Sequence, residues 1–344
     1  MIIMPQSVLP SRQKRGLYLS LGFSLITVLL ILFFTTDEET WVGLQRVRPE
    51  FLLLALLVVV GAWLMEGARI RYIAASLEEG KKIGFFAGTR VFLSAFFFAG
   101  ITPMTLGEWP ALIYFLHQSG VSLGESTATM VIRTALTRFL FLVLALVLLI
   151  VYDGRVGGGD TMNAFFRSAL VILAFTSVIY FIVLFKPRLI WTVFRTLKRI
   201  PFLNRLANSR RLQGFVQRLR EEAELFQQSL SKLKRTNRTR LIIPVLLTFG
   251  YWFSYFLVAP VLLMGLDLTF DFWRILVWQV FIVLIIGYTP LPGGSGVVEL
   301  TLATFFSRYV PSSIIGIFVV SWRFFTYYLY LMVGGFLASR RLSR

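Results

Sequence analysis

A short motif recurs at two points deep inside hydrophobic sequence, and nothing else in the chain constrains the fold so much. Gly100-Ile101-Thr102-Pro103-Met104-Thr105-Leu106-Gly107 reappears as Gly287-Tyr288-Thr289-Pro290-Leu291-Pro292-Gly293-Gly294, so both copies read G-x-T-P-[ML]-x-x-G. Each follows one apolar run and leads into another that carries a carboxylate, Glu108 or Glu299. Helix-breaking backbone at membrane depth is tolerated only where it is buried in protein or lines a cavity. Paired interruptions in two halves of a chain are the best sequence pointer to a transporter's binding site. The shared spacing points to an internal duplication.

Composition sets the medium. Of 344 residues, 57% are hydrophobic and 15% charged, and the mean hydropathy is +0.75. Apolar runs of about 18 residues or more, the length a bilayer demands, recur along the sequence. The expected fold class is therefore an all-α polytopic membrane protein, with no room for a soluble catalytic domain and no enzyme activity expected. The absence of cysteine removes disulfides, thiolate metal sites and cysteine nucleophiles, and His117 is the single histidine. No metal or other cofactor is expected. The run Leu17–Phe34, behind Arg12, Lys14 and Arg15, is too long for a signal-peptide core and reads as a retained first span.

Full spans are predicted at Leu17–Phe34, Phe51–Ile73, Thr127–Tyr152, Phe165–Phe185, Leu241–Met264 and Ser313–Ala338. Around the motifs, Ile83–Gly100 with Pro103–Gln118, and Phe272–Tyr288 with Gly296–Phe306, are too tightly joined for ordinary spans. They read as two re-entrant helical hairpins, 83–118 and 272–306. The whole chain, 1–344, reads as one transmembrane domain with halves 17–185 and 241–338 joined by a basic connection, 186–240. That connection holds 15 Lys or Arg against 3 Glu, much of the net charge of +18. It carries no nucleic-acid motif, and no nucleic-acid partner is expected. Positive-inside bias and attraction to anionic headgroups account for it. Leu212, Phe215, Val216, Leu219, Ala223, Phe226, Leu230 and Leu233 recur at helical intervals there, as in an amphipathic helix lying on the inner leaflet. Arg69, Arg71, Lys81 and Lys82 are taken as inside flanks, Asp37-Glu38-Glu39 and Asp267–Asp271 as outside. Both termini then fall in the cytoplasm, and localisation in the cell (inner) membrane follows. Three full spans separate the hairpins, so they enter from opposite faces as an inverted repeat.

Each ionisable residue inside a span costs about 2.5–3.5 kcal/mol on insertion scales and needs a reason. Arg90, Glu108, Arg133, Arg138, Glu299 and Arg323 qualify. Thr137-Arg138-Phe139 and Trp322-Arg323-Phe324 occupy similar places after the two hairpins. Four arginines against two carboxylates leave positive charge over, which favours an anionic substrate, and the guanidinium fork suits phosphate. Equally, Arg–Glu pairs can simply hold the bundle together. Gly293-Gly294-Ser295-Gly296 opens a helix whose free N–H groups can face an anion, as can the turn at Gly107. Glycines can also serve only to permit a tight hairpin. No Lys-Ser/Thr follows as in a P-loop, and Val297 stands where a nucleophile elbow needs glycine. His117 reads as an interfacial polar residue. The expected substrate-binding set is Arg133, Arg138, Arg323, Glu108, Glu299, Gly107, Gly293, Gly294 and Ser295. Arg138, Arg323 and Glu299 are expected to converge on one cavity, and Arg323→Ala to impair transport while leaving the fold largely intact.

The run Pro290-Leu291-Pro292-Gly293-Gly294-Ser295-Gly296-Val297-Val298-Glu299, followed by Arg323, resembles the signature of the lysylphosphatidylglycerol synthase transmembrane region, a family also described as flippase-like integral membrane proteins. Thr102-Pro103-Met104-Thr105-Leu106-Gly107-Glu108 with Arg133 and Arg138 is similar to its other characteristic stretch. The resemblance runs from about Phe51 to the C-terminus. It implies a lipid flippase fold with two re-entrant elements around a central cavity. The best-known members add a cytosolic aminoacyl-transferase domain; this chain is expected to be stand-alone, and synthase activity is not implied. The first motif departs from the commoner Leu-Pro-x-x-x-Gly-Gly form at Leu106-Gly107-Glu108-Trp109. The leading expectation is translocation of an anionic lipid or polyprenyl-phosphate-linked lipid, with membrane lipids as partners. The alternatives are an ion-coupled transporter of a small soluble anion, with Glu299 or Glu108 as proton carrier, and a membrane scaffold that recruits a lipid-modifying enzyme.

Overall fold

Long uninterrupted apolar runs become long helices, and the punctuated ones become hairpins. A computed structural model describes residues 48–77, 83–152, 160–185 and 238–342. The predicted first span Leu17–Phe34 and the amphipathic helix expected in the basic connection lie outside the described residues. In chain order come α1 (Pro49–Leu77), α2 (Phe85–Gly100), a 3-10 turn (Pro103–Thr105), α3 (Glu108–Gln118), α4 (Leu123–Tyr152) and α5 (Asp160–Phe185). There follow α6 (Arg238–Gly265), α7 (Phe272–Tyr288), a second 3-10 turn (Pro292–Gly294), α8 (Val297–Phe306), α9 (Ser312–Arg323), a π turn (Phe324–Tyr328) and α10 (Leu329–Leu342). Among the described residues every regular element is helical.

Among the described residues four helices are long and apolar enough to cross a membrane: Pro49–Leu77, Leu123–Leu148, Ile242–Gly265 and Ser312–Leu342, the last running unbroken through α9, the π turn and α10. Of the six full spans expected, Phe51–Ile73, Thr127–Tyr152, Leu241–Met264 and Ser313–Ala338 fall on these helices, and Phe165–Phe185 falls on α5, which holds a shorter apolar stretch, Phe166–Val178. The 16 residues of α2 reach about 24 Å at 1.5 Å each, short of a hydrocarbon core of about 30 Å. The arms α3 and α8, with 11 and 10 residues, are shorter still.

Each pair of short arms folds back on itself. Phe98 of α2 packs on Phe115 of α3 with ring centroids 6.0 Å apart. Trp278 of α7 stacks on Phe305 of α8 at 5.3 Å. The helix Ser312–Leu342 measures where the two hairpins sit. Near its start, Phe318 packs on Phe306 at the base of the second hairpin, centroids 4.6 Å apart. Near its end, the Arg341 Nη1 donates to the Phe115 carbonyl (3.1 Å) and to Ser119 Oγ (3.3 Å), at the base of the first. Halfway along, the Tyr327 hydroxyl donates to the Gly100 carbonyl and Arg323 Nη1 to the Gly293 carbonyl, both at 3.1 Å. The hairpins thus lie along this helix from its opposite ends and touch at its middle. There the Met104 N–H donates to the Thr289 carbonyl (3.2 Å), and the two 3-10 turns pack on one another.

The turns match one another in a register the motif does not reveal. Aligned by sequence, Pro103 faces Pro290. In space the turns begin at Pro103 and Pro292, and the left-handed positions Met104 and Thr105 (φ 52° and 55°) correspond to Gly293 and Gly294 (61° and 66°). Thr102 leads directly into the first turn, whereas Pro290 and Leu291 stand between Thr289 and the second. Thr102 and Thr289 do the same work in both, each hydroxyl donating to the carbonyl four residues back and closing the end of its helix.

Proline inside α6 has a compensating partner. Pro260 cannot donate to the Phe256 carbonyl, and the buried Gln279 amide of α7 donates there instead (2.5 Å). Close backbone contact fixes the α1–α2 crossing: a Cβ on Gly67 would lie 2.1 Å from Thr89 Oγ1, and one on Gly88 2.1 Å from the Gly67 carbonyl. Small residues at such crossings let membrane helices gain packing that lipid cannot supply. Gly67→Ala and Gly88→Ala are therefore expected to cost about 1–3 kcal/mol each, read as a lower unfolding temperature in detergent. Gly61→Ala, on the same α1 but with open space around it, is expected to leave that temperature unchanged or raise it. Equal behaviour of all three would remove the close crossing.

Candidate functional site

Among the described residues, the charged side chains inside the bundle fall into two paired clusters and one open position. In the first cluster Glu66 of α1 is fully buried and accepts from two arginines. Arg69 Nη1 donates to its Oε2 at 3.0 Å, and Arg133 Nε of α4 donates to its Oε1. Arg133 also reaches Glu108 Oε1 with Nη1 at 2.8 Å, which ties the first hairpin to α4. Arg69 Nη2 donates to the Arg133 carbonyl and to Thr137 Oγ1 (2.8 Å). Two arginines thus balance two carboxylates.

In the second cluster Arg323 Nε donates to Glu299 Oε1 at 2.7 Å, with Arg323 1% exposed and Glu299 0%. The other carboxylate oxygen accepts the Gly296 N–H at 2.7 Å. The helix N-terminus that the glycine turn opens is therefore capped by Glu299 itself. The Tyr327 ring lies 4.6 Å from the Arg323 guanidinium. Gly293, Gly294 and Ser295 are buried, and the Ser295 hydroxyl donates to the Pro292 carbonyl (2.9 Å). A Cβ on Gly293 would lie 2.5 Å from the Tyr327 ring.

Those geometries pair the halves differently from the sequence reading. Glu108 lies 25 residues before its partner Arg133, and Glu299 lies 24 before Arg323. Arg133, not Arg138, is the counterpart of Arg323. Arg69, taken from sequence as a cytoplasmic flank, is 1% exposed and ion-paired. Glu66 and Arg69 were missed as site residues, although both sit inside the predicted span Phe51–Ile73. The signal was an acid and a base three residues apart on one helix face in an apolar run. Arg90 is exposed on α2. His117, also exposed, has its Nδ1 2.8 Å from the Val121 carbonyl and braces the end of the first hairpin.

Arg138 stands apart. It lies at the middle of α4, partly exposed, and makes no ion pair among the described residues. Its Nη1 donates to Thr176 Oγ1 of α5 (3.3 Å), which is 2.9 Å from the Tyr288 hydroxyl in the second motif. Its guanidinium lies 5.1 Å from the Tyr180 ring centroid, and Tyr180 meets Trp109 edge-on at 6.3 Å. The two tips differ in exposure as well. In the first, Met104 (44%), Leu106 (67%) and Trp109 (38%) are exposed, whereas Pro292 to Ser295 of the second are buried. Gly107 is partly exposed at the first tip; its N–H donates to Thr102 Oγ1 (2.8 Å), and a Cβ there would strike the Phe98 carbonyl at 2.5 Å.

Spanning helices of this length, with internal charge held in paired clusters, define an integral multi-pass membrane protein. The chain belongs to the lysylphosphatidylglycerol synthase TM region family, which matches residues 19–334. It is also similar to a UPF0104 membrane protein of Archaeoglobus fulgidus, 26% identical over 318 residues that cover 90% of this chain and 92% of that protein.

The burial of Arg323 and Glu299 alters what a single substitution there should do. Removing one partner of a buried pair leaves an unpaired charge and costs about 3–5 kcal/mol, whereas replacing both with apolar groups is often neutral. Glu299→Leu and Arg323→Ala alone are thus expected to lower thermal stability sharply, contrary to the expectation from sequence that Arg323→Ala leaves the fold intact. Glu299→Leu combined with Arg323→Met should regain most of the loss. Additive losses in the double variant would show that the pair does not hold the bundle.

Proposed function

We propose that the protein translocates an anionic lipid between leaflets, by way of the junction where the two hairpin tips meet, and that it does so without acting as an enzyme. The single observation that carries this reading is the meeting of the tips halfway along a helix of spanning length, with the hairpins lying along it from opposite ends. Arms too short to cross, ending in turns at that depth, are what re-entrant hairpins of an inverted repeat require. The family is named for the synthase of lysylphosphatidylglycerol, a phospholipid, which supports a lipid as the substrate. The exposed first tip with its apolar Met104 and Leu106 supports a path open sideways to the bilayer.

In this reading the Met104–Thr289 contact is the barrier, and the headgroup passes from one side of it to the other while the acyl or prenyl chains stay in the bilayer. The buried second tip is the fixed wall, braced by Arg323 and Glu299. The exposed first tip is the moving part. Positive-inside bias places the Arg340 and Arg341 end of the last helix in the cytoplasm, so the first hairpin enters from the cytoplasmic face and the second from the external face.

The chain contains no cysteine, so cysteine variants report cleanly. Gln118→Cys and Trp273→Cys, at the two hairpin bases, are expected to react with an impermeant maleimide from opposite sides of sealed vesicles. Reaction from the same side would remove the inverted arrangement. In Met104→Cys/Thr289→Cys protein reconstituted with fluorescent phospholipid, cross-linking the pair is expected to stop transbilayer exchange, and reductant to restore it. Undiminished exchange in the cross-linked protein would overturn the proposed path.

A further inference from the structure

We infer that Arg138 is the headgroup-binding residue, and that the site formed with Thr176, Tyr288, Tyr180 and Trp109 takes a lipid phosphodiester carrying one negative charge and an uncharged alcohol. The inference deepens the translocation reading and rests on it for the source of the phosphate. Within the bundle Glu66, Arg69, Glu108 and Arg133 balance each other, and Glu299 balances Arg323. Arg138 is left as one cation at the centre of a spanning helix with no carboxylate within ion-pair distance among the described residues. A charge at that depth is costly unless paired, so its partner is expected to come from outside the chain.

Local geometry agrees. The Arg138 Nε is buried and has no hydrogen-bond partner, which in a native fold calls for a ligand or water at that position. Its Nη1 has only a long bond to Thr176. Arginine's planar fork presents adjacent N–H groups that match two phosphate oxygens. Arg323 also carries a buried unpartnered nitrogen, Nη2, but its charge is already matched by Glu299 and it is closed off from the surface. Arg138 is partly exposed, as are Thr176, Tyr180 and Tyr288 around it.

The surroundings narrow the headgroup. One unmatched cation neutralises one negative charge, so a phosphomonoester dianion brings a surplus charge into a low-dielectric site. A zwitterionic headgroup leaves the opposite surplus. The Thr176 hydroxyl donates to the Ile172 carbonyl (2.8 Å), so the Tyr288 hydroxyl 2.9 Å away donates to Thr176 and its oxygen can accept from a hydroxyl-bearing alcohol. Tyr180 and Trp109 supply amphipathic rings at the rim. Phosphatidylglycerol has the required chemistry and serves as the probe.

Binding to the purified full-length protein in detergent, measured by native mass spectrometry, tests this apart from transport. Phosphatidylglycerol is expected to bind tighter than phosphatidic acid or phosphatidylcholine of the same chains. Arg138→Gln should weaken it by about ten- to a hundred-fold, with Arg138→Lys intermediate because the fork is lost. Helical circular dichroism and the unfolding temperature should stay at wild-type values in both. Unchanged phosphatidylglycerol binding in Arg138→Gln, or equal binding of the three lipids, would overturn the inference. Inorganic phosphate and glycerol phosphate at millimolar concentration are expected not to displace the lipid; displacement would overturn the lipid as ligand in favour of a soluble phosphate ester. Arg138-dependent binding by a protein that exchanges no lipid in vesicles would remove the translocation reading and leave the site. Exchange by the wild type with binding indifferent to Arg138 would do the reverse.

Discussion

A carboxylate at membrane depth survives only in company, and for Glu66, Glu108 and Glu299 that company is an arginine from another turn or helix. Glu108 is held by Arg133 and Glu299 by Arg323, so each hairpin is joined to the helix that follows it through a charge-assisted contact. The arms themselves are too short to cross a bilayer, so their depth is set by what they pack against and pair with. The ion pairs add to the bonds from Tyr327 to the Gly100 carbonyl and from Arg323 to the Gly293 carbonyl, which hold the turns halfway along the last helix. Glu66 extends the same device, binding α1 to α4 through Arg69 and Arg133.

The two halves share a plan and differ in how they execute it. The second turn uses glycine at both left-handed positions, lies buried, and has its N-terminus capped by its own Glu299. The first turn places Met104 and Thr105 in the same conformation, where a β-branched residue is an outlier, and leaves its apolar side chains exposed. Strain of this kind persists where surrounding structure over-determines it, and it tends to sit at working parts. The Met104 N–H bond to Thr289 supplies part of that constraint from the opposite turn. A buried second tip and a strained, exposed first tip fit the proposed path, in which one half is the wall and the other moves.

The π turn Phe324–Tyr328 belongs to the same junction. It lies between Arg323, which reaches the second tip, and the α10 face that packs on α2. Arg323 and Tyr327, four residues apart, share one face of the helix and both address the tips. Tyr327 then serves both sides, with its hydroxyl on Gly100 and its ring against Arg323.

Hydrophobic run lengths and the doubled motif by themselves determined the class of protein, the places of the two interruptions and the candidacy of Arg133, Arg138, Glu108, Glu299 and Arg323. These are properties of local composition, because a bilayer imposes its thickness on any chain that crosses it. Which charges pair was a different matter. Arg138 and Arg323 look alike in sequence, yet one is closed off with Glu299 and the other faces a partly open site. Arg69 reads from sequence as a flank of the span, yet with Glu66 it forms a buried charge cluster inside it. The two-residue offset between the turns was invisible for the same reason. Pairing, burial and register depend on which helices lie side by side, and that was decided only when α1, α4, α5 and the Ser312–Leu342 helix packed around the tips.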